Sequence, residues 1–266
     1  MKIEVSHESP ISCLKKSLEY NDYAYALVHL FETETAYYQF FKSIRETTDI
    51  PVLLDNSIFE LGEAFDTREY IKWISKLDPN YYIVPDVLYS GKETQRSWMD
   101  FNSYTLPDGP KQIGVATGKD WNDIVDCYRF MSHEADYIAL GFNLPYFEVT
   151  GIGKNKLQRW CTGRQRLVKN LIDEGIWNWE KPHHLLGCSL AKEFRYYVDN
   201  NIYNIKSCDT SNPVVAAIHD VQYNDDFGLE EKPSTMLADL IDYDMSDSQL
   251  EILDYNVKMF KKILRR

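Results

Sequence analysis

PVLLDNSIFELGEAFDTREYIKWISKL, Pro51 to Leu77, is the stretch on which the reading of the fold turns. Its opening, Pro51 to Asp55, is a short apolar run closed by the turn-formers Asn56 and Ser57, the pattern of a buried strand. From Thr67 to Leu77 the pattern changes to that of an amphipathic helix. A short apolar strand followed by a longer amphipathic helix, repeated, is the mark of a parallel sheet with crossover helices. Working outward from this unit, strands are expected at Ile3–Ser6, Tyr25–Phe31, Pro51–Asp55, Tyr81–Pro85, Gln112–Thr117, Tyr137–Gly141, His183–Gly187 and Tyr203–Cys208. Helices are expected at Thr35–Arg45, Thr67–Leu77, Lys92–Phe101, Trp121–Met131, Asn155–Glu174 and Ala191–Asp199. Eight strands in this alternation indicate an α/β chain with a (β/α)8 TIM-like barrel. No GxGxxG or GxxxxGK follows a strand, which argues against a dinucleotide or P-loop fold.

The remainder of the chain reads as an extension of the barrel. Residues 1–219 form the expected barrel core and residues 220–266 an acidic segment with a C-terminal helix, in a single domain of 266 residues. Pro233 to Met245 reads as an irregular connection. Ser246 to Arg266 reads as the terminal helix, with Ser246 as its cap and basic residues at its end.

Composition limits the function classes. No apolar run approaches the ~18 residues of a membrane span, and MKIEVSHESP lacks a secretory layout, so a cytoplasmic protein is expected, in the host cytoplasm if the chain is viral. The five cysteines, Cys13, Cys127, Cys161, Cys188 and Cys208, form no CxxC pair and are expected to be reduced and buried. The aromatic run AYYQFF, Ala36 to Phe41, is expected in the core.

The net charge of -12, taken alone, argues against a nucleic-acid partner. Its distribution argues otherwise. Between Asp220 and Asp254 there are eleven acidic residues against one basic, Lys232, a net -10 that leaves the rest of the chain nearly neutral. GKNKLQRWCTGRQRLVK, Gly153 to Lys169, holds six basic side chains, Lys154, Lys156, Arg159, Arg164, Arg166 and Lys169, and no acidic one. Such a run is either a solvated helix face or a phosphate-contacting surface.

In a barrel the chemistry sits at the carboxyl ends of the strands. Standing there are His7, His29, Asp55, Asp86, Thr117, Gly141, Gly187 and Asp209. No HxH pair or other metal-ligand spacing appears, so no metal and no cofactor are expected, and a hydrolase built on His7 and His29 is the weakest reading. The three aspartates suit glycosidic chemistry, in which one carboxylate attacks an anomeric carbon while another moves a proton. Each alone also fits a helix cap or a turn.

With these stretches assembled, the chain resembles the tRNA-guanine transglycosylase superfamily, especially its short virus-encoded members linked to 7-deazaguanine modification of DNA. The resemblance runs from about Pro51 to Pro213 and implies a (β/α)8 barrel that exchanges a base through a covalent aspartyl-sugar intermediate. DNSIFE is similar to the family's proton-transfer motif, which implies that role for Asp55, a substrate contact for Asn56 and base stacking for Phe59. SCDTSNP is similar to the nucleophile motif and implies that role for Asp209. VPDV implies that Asp86 reads the guanine edge, YIALGFN implies a backbone ledge at Gly141 and Phe142, and HLLGC implies an apolar closure at Leu186. Two departures shape the expectation. Thr117 in GVATG stands where the family often has glutamine, which leaves the identity of the base open. The cysteine-rich zinc subdomain that helps engage tRNA is missing, which makes DNA at least an equal candidate. The expected partners are therefore a nucleic acid and a free purine-like base. The alternatives are a DNA glycosylase that admits water in place of the base, and a non-catalytic barrel that binds nucleic acid or protein.

Overall fold

A computed structural model of the chain describes residues 2–224, 228–229 and 237–264. Its strands are β1 (Glu4–His7), β2 (Ala24–Leu27), β3 (Val52–Asp55), β4 (Tyr81–Ile83), β5 (Lys111–Ala116), β6 (Tyr137–Leu140), β7 (His183–Leu185) and β8 (Ile205–Thr210). They form one eight-stranded sheet in the order β1-β8-β7-β6-β5-β4-β3-β2, with helices following the strands in the sequence. This is the topology of the (β/α)8 barrel class. Each of the eight expected strands is present: four are shortened by one or two residues, and the first, fifth and eighth keep their length but are displaced by one or two positions. The exception is the second, which stops at Leu27 because the chain turns into a helical turn, Leu30–Thr33. There the His29 N–H leaves the ladder and donates to Ser57 Oγ at 3.3 Å.

The chain packs as two compact units. One comprises residues 22–145 and 178–184, the other residues 1–21, 146–177 and 185–266.

In the first unit, β2, β3, β4, β5 and β6 pair in parallel, with Leu27 opposite Asp55, Leu54 opposite Tyr82, Ile83 opposite Ile113 and Ala116 opposite Leu140. Asp55 ends β3, and Thr117 and Gly141 follow the last paired residues of β5 and β6, so all three stand at the carboxyl ends of their strands. The helix Thr67–Leu77 buries Tyr70, Ile74 and Leu77, spaced three to four apart on one face. The hydroxyl of Tyr70 lies 3.0 Å from the Leu54 carbonyl and 2.9 Å from the Ile83 carbonyl, which fixes the ends of β3 and β4 side by side. Tyr37 and Phe41 of the AYYQFF run are core residues packed with Phe31.

In the second unit β1 pairs with β8, with Ser6 opposite Asp209 and His7 opposite Thr210. The terminal helix spans Asp247–Leu264 and packs Leu253 and Val257 against Val214, Val215, Ala217 and Ile218. Its start is a reciprocal cap: Gln249 N–H donates to Ser246 Oγ at 3.3 Å, and Ser246 N–H donates to Gln249 Oε1 at 2.9 Å. The acidic residues at 225, 226, 230 and 231 and Lys232, with Pro233–Met236 of the expected connection and Arg265 and Arg266 of the expected helix, lie outside the described residues.

All five cysteines are free thiols and buried. Burial pushes the thiol of Cys127 up to about 12 and raises those of Cys13, Cys161 and Cys208 as well. Among the described residues, no helix is long and apolar enough to cross a membrane.

Candidate active site

The first unit gathers a carboxylate pair around Asn56. Asp55 is the last residue of β3 and is buried, and its Oδ2 accepts the Ser57 N–H at 2.8 Å. Asn56 repeats the move one residue on, its Oδ1 accepting the Ile58 N–H at 2.9 Å. These two turns bend the chain sharply and put Ser57 in the left-handed region at φ 59°, which a non-glycine residue occupies only at a cost. The turn role expected for a strand-end aspartate is therefore real, and the bond that makes the turn engages one of the two Asp55 carboxylate oxygens.

Asn56, fully buried, also reaches across to the next strand end. Its Nδ2 donates to Asp86 Oδ1 at 2.9 Å and to the Val84 carbonyl at 3.3 Å. Asp86 is buried, and burial raises its carboxyl from 3.8 to about 6, against the lowering effect of the Asn56 hydrogen bond. Asp86 thus exchanges a proton near neutral pH. Phe59 projects from the same segment and is 50% exposed, open to a planar ligand.

Two strands along, Thr117 and Gly141 lie against each other, and a Cβ at Gly141 would come within 3.3 Å of the Thr117 side chain. Thr117 is buried and its hydroxyl donates to Asn143 Oδ1 at 2.8 Å. Gly118 N–H donates to the same oxygen at 3.2 Å, which fixes the orientation of the amide. Asn143 Nδ2 is buried and has no hydrogen-bond partner among the described residues. Asn143 was not legible as a site residue, since a lone asparagine after Gly141 and Phe142 carries no spacing signal. Phe142 is half-buried.

The second unit holds Asp209. It is buried within β8, and both of its carboxylate oxygens lie in reach of one backbone donor, Gly187 N–H, at 3.1 and 3.0 Å. Leu186, half-buried, precedes that donor. A donor shared between two oxygens fixes the direction in which a carboxylate faces.

The basic run is only partly a surface. Lys154, Lys156, Arg166 and Lys169 are exposed and Arg159 is half-buried on or beside the helix Lys156–Asp173. Lys169 is paired with Asp173, and Arg166 donates to the Thr150 carbonyl at 2.6 Å. Arg164 overturns the expectation of a phosphate contact. It is fully buried, its Nε and Nη2 on the two Glu193 oxygens at 2.7 and 3.0 Å, and its Nη1 and Nη2 on the carbonyls of Leu186 and Gly187 at 2.6 Å each. Fully buried and engaged in these four contacts, the guanidinium presents no surface to a phosphate. The signal that could have exposed it is its place on the apolar face, three residues before Leu167 and three after Cys161, both buried.

Among the described residues, no three His, Cys, Asp or Glu side chains are grouped to hold a metal ion. The His7 ring packs edge-on against Phe260 at 5.3 Å, and burial lowers the proton affinity of His29.

Compared with known proteins, the chain matches no family model and no curated sequence.

Proposed function

We propose that this chain is a transglycosylase that exchanges a base of guanine or 7-deazaguanine type at the N-glycosidic bond of a nucleic acid, with DNA ranked at least level with tRNA. The observation that supports this reading best is the anchoring of Asp209, a buried carboxylate near a strand end whose two oxygens both face the Gly187 backbone N–H. A carboxylate fixed in direction is what attack on an anomeric carbon requires.

In the proposed reaction an Asp209 oxygen forms a bond to the anomeric carbon as the bond from that carbon to the base nitrogen breaks. The departing base keeps the electron pair and takes a proton from Asp55. The incoming base then loses a proton to Asp55, its nitrogen attacks the same carbon, and the Asp209 carboxylate is released. Asp86 suits recognition of a purine edge, because a group that titrates near neutral pH can donate when protonated and accept when ionised. Asn143 offers a buried N–H donor to a carbonyl of the base, and Phe59 an exposed ring that stacks on a base taken out of a duplex.

The test is incubation of the whole chain with labelled DNA or tRNA, with and without a free 7-deazaguanine base, followed by denaturing electrophoresis and nucleoside mass analysis. The expected result is a covalent protein–nucleic acid adduct that Asp209→Asn abolishes, and substituted bases when free base is supplied. Abasic sites without substitution would make the chain a glycosylase. Undiminished turnover in Asp209→Asn would remove the nucleophile assignment.

A further inference from the structure

Arg164 and Glu193 form a buried pair that is joined to Asp209 through a single peptide group. Burial alone would lower the proton affinity of the guanidinium, but the Glu193 carboxylate more than reverses this, so Arg164 is held charged. Glu193 is itself fully buried and receives a further hydrogen bond, from Tyr197 OH to Oε1 at 2.7 Å. The pair is therefore fixed on the acidic side by a bidentate contact and a tyrosine.

On the other side the guanidinium grips two successive carbonyls, Leu186 and Gly187. They converge because Gly187 adopts a left-handed conformation, φ 62°, open to glycine at no steric cost. The Leu186 carbonyl and the Gly187 N–H belong to the same peptide group and point in opposite directions, since that group is planar and trans. A cation on the carbonyl therefore aims the N–H, and that N–H is the donor that Asp209 faces. The cation also polarises the peptide, which strengthens its N–H as a donor.

We propose that Arg164 is a positioning residue for Asp209, acting through the Leu186–Gly187 peptide and itself held by Glu193 and Tyr197. Its kinetic consequence rests on the reading of Asp209 as nucleophile; its structural consequence does not. A buried ion pair contributes little net stability compared with an apolar pair of similar size. Two variants follow from this. Arg164→Lys keeps the charge but loses the planar fork that spans two carbonyls and a carboxylate. The double variant Arg164→Met with Glu193→Met removes both charges together, so neither is left buried alone.

The experiment records the Gly187 amide proton by nuclear magnetic resonance in the full-length wild-type chain and in both variants, beside the rate of adduct formation. Asp209→Asn serves as the reference for a Gly187 amide that has lost its carboxylate. In the folded variants the Gly187 resonance is expected to move upfield towards that reference. The adduct rate is expected to fall by about tenfold to a hundredfold, the scale of cost of a misplaced reacting group, with KM little changed. A Gly187 resonance that stays at its wild-type position in either folded variant overturns the inference. If the resonance moves but wild type forms no adduct with any nucleic acid, the positioning role stands and the transglycosylase reading falls.

Discussion

Asp86 carries the clearest pH dependence. Its carboxyl is raised, so the folded chain holds the proton more tightly than the unfolded chain does. The stability it contributes is complete below the unfolded value of 3.8 and is lost as pH rises through about 6. Asp86→Asn removes that loss while leaving an oxygen to accept from Asn56. Relative to wild type, the variant should gain about 1 kcal/mol at about pH 4.5 and about 3 kcal/mol at about pH 8, since each tenfold difference in proton affinity between the folded and unfolded chain is worth about 1.4 kcal/mol. Urea unfolding at the two pH values measures this, and a gain that does not grow with pH would show that Asp86 holds no such proton. Activity should fall in the same variant if Asp86 reads the base. Asp55, Asp86 and Asp209 were legible because a carboxylate ending an apolar run is conspicuous. The role of Asn143, the donation from Gly187 to Asp209 and the partners of Arg164 were not legible, since each depends on a residue many positions away: Thr117 for Asn143, Asp209 for Gly187 and Glu193 for Arg164.

At the scale of the element, the long helices could be read, and of the short ones Glu193–Asp199 was expected while others were not. Thr67–Leu77 was expected with both ends as observed, helped by Asp66, whose carboxylate accepts the N–H groups of Arg68 and Glu69. Asn212–Ile218 escaped notice because all seven of its residues are buried, which leaves no polar face to reveal a helical period. The cap of the terminal helix was half legible: Ser246 could be named, whereas the role of Gln249 needs the fold. Besides closing the reciprocal cap, Gln249 Nε2 donates to the Ile218 carbonyl at 2.7 Å in a buried position. Ser246→Ala should cost about 1 kcal/mol, as the loss of an exposed cap does. Gln249→Ala should cost more, about 2–3 kcal/mol, because it also leaves a buried carbonyl without its donor. Denaturant midpoints would reveal the order, and equal losses would mean that the contact to Ile218 contributes nothing.

For the whole molecule, strand count and order followed from the repeat of short apolar and long amphipathic stretches, which is why a (β/α)8 topology could be read without any motif. Packing into two compact units could not, because the second is assembled from three separate stretches of sequence. The burial of every cysteine is a property of the folded whole, and it sets a measurable limit. A thiol reacts as its thiolate, and burial disfavours that form. Native protein should therefore react with a thiol-specific chromogenic reagent far more slowly than protein in denaturant, where all five groups should be titrated. Fast reaction of one group in the native state would show that a cysteine is reached from solvent. The practical corollary is that the unaltered chain is close to a chemical blank. A single cysteine introduced at an exposed position, such as Phe59→Cys, should take up a fluorophore or spin label almost alone, so that the approach of a nucleic acid to this loop can be followed without first stripping the native thiols from the core.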